Sequence, residues 1–102
     1  MKTGILTIAA AAFIIGISGP ALADGDAAAG KAKAKVCAAC HGANGEGKKN
    51  NPPLAGMDQA KFVKAIQDYA SGARDNKIMA RTAKKLSEDD TENLAAYYAS
   101  LK

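Results

Sequence analysis

Five consecutive residues, Cys37-Ala38-Ala39-Cys40-His41, hold both cysteines and the only histidine of the chain. Nothing else in the sequence narrows the possible folds as much. Cys-x-x-Cys-His is the attachment pattern of a c-type haem. On a helical turn, positions three apart share one face. Two thiols on that face can bond the two vinyl-bearing edges of one porphyrin. The adjacent His41 then sets its imidazole under the iron as the proximal ligand.

Three other readings compete for the same residues. A redox-active Cys-x-x-Cys pair needs a thioredoxin-like βαβ context, and no strand pattern flanks these positions. A structural zinc site wants four ligands, and the chain offers two thiols and one imidazole. A plain Cys37–Cys40 disulfide is available in an oxidising compartment. Covalent haem accounts for all three residues together, and the chain has no other Cys or His to hold a transition metal.

The start of the chain reads as a leader. Met1-Lys2 is a short basic segment, and the apolar run from Gly4 to Ser18 carries Ile5, Leu6, Ile8, Phe13, Ile14, Ile15 and Ile17. Gly19-Pro20 breaks it, and Ala21-Leu22-Ala23 is an A-x-A cleavage site, the pattern of a secretory signal peptide. The run falls short of the roughly 20 residues that a membrane-spanning anchor needs. Cleavage after Ala23 is expected to release residues 24–102 as one domain in the periplasm. Removing 23 of 102 residues leaves 79, and so small a domain usually needs a staple. A haem is such a staple, so the chain without it is expected to be poorly ordered.

The full chain has 14 basic and 10 acidic residues. Loss of the leader removes only Lys2, lowering the formal charge from +4 to +3. Lysines 31, 33, 35, 48, 49, 61, 64, 77, 84 and 85 form a basic rim that can steer docking onto an acidic partner. Such runs are also ordinary solvated faces. Nucleic acid is not an expected partner, since the chain reads as exported and its aromatics are few.

Along the expected domain, Asp26 is an N-cap for a helix running to Val36 and on into the motif. Gly30 interrupts that helix and permits close approach of another ring or backbone. Residues 42–56 are rich in Gly, Asn and Pro and read as loop. Within it the carbonyl of Pro52 or Pro53 can accept the proton of the second His41 ring nitrogen, which fixes a metal-bound imidazole, and Leu54 can pack on the porphyrin. A helix capped by Asp58 runs to Ser71, with Phe62, Val63, Ile66 and Tyr69 along its apolar stripe and Gly72 just past its end. Ile78-Met79-Ala80 is an apolar island after a polar turn. Met79 is the expected distal ligand, since a His-ligated haem needs a sixth ligand or an open site. Met57 is the alternative thioether, and gap-filling is the ordinary role of either. Ser87 caps the last helix, with acidic residues in its first turn. Its stripe of Leu94, Ala95, Tyr98 and Leu101 should cross the first helix, with Gly30 admitting the ring of Tyr97.

These residues resemble the small bacterial class I cytochromes c of the periplasmic c553/c554/c5-like group. The resemblance rests on Gly30 ahead of Cys37-Ala-Ala-Cys-His41-Gly42, Pro52-Pro-Leu54-Ala-Gly56, Ile78-Met79, Leu86-Ser-Glu-Asp-Asp90 and Asn93-Leu-Ala-Ala-Tyr97-Tyr-Ala-Ser-Leu101. It covers nearly the whole expected domain, in order. Met57 departs from the group, which often has Gln after Leu-Ala-Gly. The resemblance implies an all-α fold of about four short helices wrapped around one covalently bound haem c, with crossed N- and C-terminal helices. It implies thioethers at Cys37 and Cys40, His41 and Met79 as axial ligands, and a proline carbonyl supporting His41.

A His/Met pair closes both axial positions, which favours electron transfer over catalysis. The expectation is a soluble, monomeric one-electron carrier, not an enzyme and not inserted in a membrane. By resemblance its redox partners are a quinol–cytochrome c reductase and a terminal oxidase or reductase. An open-site haem module, binding a small ligand or turning over peroxide, is the rival function.

Overall fold

Asp26 starts the first helix in the way its side chain permits. Its carboxylate accepts from the backbone N–H of Ala28 at 2.9 Å and of Ala29 at 3.4 Å, satisfying donors that no earlier carbonyl can reach. The computed structural model describes residues 25–101, so the leader and cleavage site expected at residues 1–23 lie outside the described residues. Five helices follow: α1 (Ala27–Lys33), α2 (Lys35–His41), α3 (Gln59–Ser71), α4 (Lys77–Lys84) and α5 (Glu88–Ala99). Among the described residues there is no strand, only an isolated antiparallel bridge between Lys48 and Asn51. The fold is all-α.

The fifth helix arises because the first expected one divides at Ala34. There ψ flattens to −11°, and the Ala34 N–H is shared between the carbonyls of Gly30 (2.8 Å) and Lys31 (3.3 Å). Cys37 N then bonds back to Ala34 O at 2.9 Å. This is a tightened turn, and Ala34 is buried at it.

Crossing of α1 and α5 is the main packing event. Gly30 is buried where they meet, and a Cβ there would fall on the carbonyl oxygen of Asn93 and lie 2.8 Å from Cβ of Tyr97. Gly30 therefore admits the α5 backbone rather than the Tyr97 ring that the sequence suggested. Asn93 also reaches back, its side-chain oxygen accepting from Asp26 N at 2.8 Å. The contact between α1 and α5 is thus sealed by backbone proximity and a polar clasp.

Asp58 caps α3, accepting from Lys61 N at 3.1 Å, and Phe62 and Ile66 bury the stripe. Helix α4 is capped by Asn76, which accepts from Ile78 N and Met79 N at 3.0 Å each. Ser87 and Asp90 close a reciprocal capping box on α5. The buried apolar residues are Ala34, Phe62, Ile66, Ala83, Leu94, Ala95, Tyr97 and Tyr98. Three of these eight are alanines, so the core is thin in large side chains. Tyr98 is its centre, with ring centroids 5.8 Å from Phe62 and 5.1 Å from Tyr97.

Candidate functional site

Helix α2 delivers the motif, and the loop 42–56 closes over its end. His41 is the last residue of α2 and is buried, 7% exposed. Its Nδ1 lies 2.8 Å from the carbonyl oxygen of Pro52. A carbonyl only accepts, so Nδ1 carries the proton and Nε2 keeps its lone pair for a metal. Of the two prolines that the sequence allowed for this role, Pro52 fills it. The loop is held in place by Gly47 N to His41 O (2.6 Å), Leu54 N to Gly45 O (2.7 Å) and Gly56 N to Tyr98 O (2.7 Å).

Cys37 is half-buried against the core, whereas Cys40 is exposed; both are free thiols. Burial pushes the Cys37 thiol up, partly opposed by a hydrogen bond with the Tyr98 hydroxyl. A redox-active pair works the other way, by lowering its attacking thiol. Burial likewise raises Tyr98, with Cys37 adding to the effect. No cluster of three or more His, Cys, Asp or Glu able to hold a metal ion exists among the described residues, which removes the zinc reading.

These residues fit a haem. Among the described residues there is one metal-ready imidazole and no ligand cluster that could surround an ion by itself. A metal that arrives with its own equatorial ligands asks the chain only for axial donors. Thioether sulfur is available from Met79 on α4 and from Met57 in the turn after Leu54, both half-buried against the same core as Cys37 and Leu54. Met57 lines a cleft between the start of α3 and the end of α5, with Gln59, Ala96 and Ser100.

Two residues at this site escaped the sequence. The Asn51 side-chain Nδ2 donates to the carbonyl of Cys40 at 2.9 Å. Tyr98 lies in the core against which Cys37 packs. A signal existed for Tyr98, because its place on the α5 stripe marked it as buried. Asn51 carried no such signal beyond its place in a turn-rich stretch.

Known proteins bear on the same residues. The profile of the cytochrome c family matches residues 27–102. Cytochrome c4 of Pseudomonas aeruginosa is 45% identical over 89 residues, covering 86% of this chain and 44% of the relative. Cytochrome c-553 of Helicobacter pylori is 45% identical over 74 residues, covering 71% of this chain and 77% of the relative. Reduced recombinant cytochrome c4 from Pseudomonas stutzeri superimposes with a TM-score of 0.71 at 38% identity, over 76% of this chain and 46% of that one. The chain thus spans less than half the length of these cytochrome c4 relatives. The fit of the donor set to covalent haem, the helix crossing at Gly30 and these matches agree, and the chain belongs to the cytochrome c family.

Proposed function

We propose that this chain is a periplasmic one-electron carrier, exported with cleavage after Ala23 and acting by transfer between redox proteins rather than by turnover of a substrate. The observation that carries the reading is the buried His41 imidazole, tethered through Nδ1 to Pro52 O at 2.8 Å. Cys37 and Cys40 would hold the haem through thioethers, with His41 Nε2 and Met79 Sδ as axial ligands and Pro52 and Leu54 around it. Bound in this way, haem supplies reversible exchange of one electron between Fe(III) and Fe(II). The chain's own residues hold the imidazole in one orientation through Pro52 O and exclude water from it.

Met79 is favoured over Met57 because Met57 directly follows the loop that carries Pro52, on the His41 side in sequence, whereas Met79 stands on a separate helix, α4. Partner docking is supported by the surface beside the site. Val36 and Ile78 are the exposed large hydrophobics of the described chain, 56% and 65% exposed. Each directly precedes a proposed haem-binding residue. Lys35, Lys77 and Arg81 stand exposed on the same two helices, and Lys31 on α1. Exposed apolar residues with basic neighbours suit brief encounters with acidic redox partners, such as a quinol–cytochrome c reductase and a terminal oxidase or reductase.

The test begins with purified exported protein. A pyridine haemochrome assay should give one c-type haem per chain, and N-terminal sequencing should begin at Asp24. The reduced protein should not bind carbon monoxide at neutral pH, whereas Met79→Ala should bind it promptly. Carbon monoxide binding by the parent would replace the carrier with an open-site haem module.

A further inference from the structure

An α-helix ends in carbonyls that no later helical N–H can reach. At the end of α2, the following loop supplies donors. Ala38 O accepts from Gly42 N at 2.9 Å, and His41 O accepts from Gly47 N at 2.6 Å. Cys40 O takes the side-chain amide of Asn51 at 2.9 Å. Since a carbonyl only accepts, the amide is oriented with its NH₂ toward the helix.

Asn51 is held in turn by its backbone. Lys48 N bonds to Asn51 O at 3.1 Å and Asn51 N to Lys48 O at 2.7 Å, closing a tight turn over Lys49 and Asn50. Lys49 takes φ 46° there, in the left-handed region that most side chains avoid. The next residue is Pro52, whose φ is fixed by its ring and whose ψ is held in the extended region by the following Pro53. The aim of its carbonyl therefore follows the placement of Asn51. The two contacts with α2 share one register: residue 51 bonds to 40, and 52 bonds to 41.

We propose that Asn51 is a positioning residue, whose bond to Cys40 O locks the Pro52 carbonyl onto His41 Nδ1. The proposal rests on His41 as the proximal ligand and adds a residue that sets its donor strength. A well-aligned Nδ1–H···O bond makes the far nitrogen a better donor. Slackening that bond weakens donation and favours the ferrous state.

The experiment uses the haem-loaded chain and its variants. In Asn51→Ala, the His41 Nδ1–H should exchange with solvent about tenfold faster by proton NMR, the factor expected for loss of one ordinary hydrogen bond. The midpoint potential should move upward. The Gly56 amide, bonded to Tyr98 O at 2.7 Å, should exchange at the parent rate. Asn51→Asp, the same shape without the donor, should repeat the faster exchange, while its added negative charge itself lowers the potential. Lys49→Gly, which keeps the Asn51 side chain, should leave imidazole exchange at the parent rate. Imidazole exchange in Asn51→Ala within about twofold of the parent, or a rise matched at Gly56, overturns the proposal. The haemochrome and carbon monoxide assays on the parent read the carrier function separately: one haem per chain with no carbon monoxide binding upholds it whatever the exchange rates show.

Discussion

Gly30 and Pro52 show how much one position can decide. A methyl group at Gly30 would meet the carbonyl of Asn93, and backbone cannot swing aside as a side-chain tip can. Gly30→Ala gains helix propensity of up to about 1 kcal/mol but forces the two helices apart, which costs about 1–3 kcal/mol. Denaturant unfolding of the haem-loaded protein should therefore show a net loss of about 1–2 kcal/mol, with the optical spectrum unchanged. The sequence announced that something approaches Gly30 and that Tyr97 is near it. It could not say that the intruder is main chain, because every residue carries the same carbonyl. The choice between Pro52 and Pro53 was hidden for a related reason. It depends on the turn at residues 48–51, which is placed by bonds between residues distant in sequence, among them Gly47 N to His41 O and Asn51 Nδ2 to Cys40 O.

Helix ends were the most legible elements, since capping chemistry is local. Asp26, Asp58 and Ser87 all cap where their sequence neighbourhoods indicate. Removing the Ser87 hydroxyl in Ser87→Ala should cost about 1 kcal/mol, measured by thermal unfolding. The partner in that capping box gives a pH prediction. Hydrogen bonding from the Ser87 backbone holds the Asp90 carboxyl below its ordinary value, with Lys33 at 3.4 Å assisting. The folded state therefore takes up this proton less readily than the unfolded one. The resulting stability is present above the ordinary carboxylate range and is lost as pH falls through the folded value. Asp90→Asn should accordingly flatten the acid limb of the stability curve below about pH 4. Helix α4 was harder to read. Its apolar island was visible, but Asn76 was not read as a cap. The spacing of Met79, Ala83 and Leu86, at i, i+4 and i+7, is a helical signal that the reading of the island passed over. The break at Ala34 left none, because alanine suits either side of it and only burial there sets the bend.

At the scale of the whole molecule, the core is small for its task. Its largest fully buried side chains are Leu94 and Tyr98, and Val63, Tyr69, Met79, Leu86 and Leu101 pack against it only partly covered. A bound plate of apolar surface is what such a ring of half-covered residues needs. Replacing both Cys37 and Cys40 with Ser, which prevents attachment, should leave a chain with weak near-ultraviolet circular dichroism and rapid proteolysis. A fold-wide shortage of this kind could be read from length and composition before any coordinates. The placement of the half-covered residues could not, since it depends on how α3 and α4 lie against α5. The clasp between Asp26 and Asn93 joins positions 67 apart, which has a temporal consequence. Long-range closure carries an entropic penalty and slows assembly. A polypeptide delivered amino end first cannot shut until residue 93 has arrived. Until then the interior stays open, and a guest can enter before the door exists.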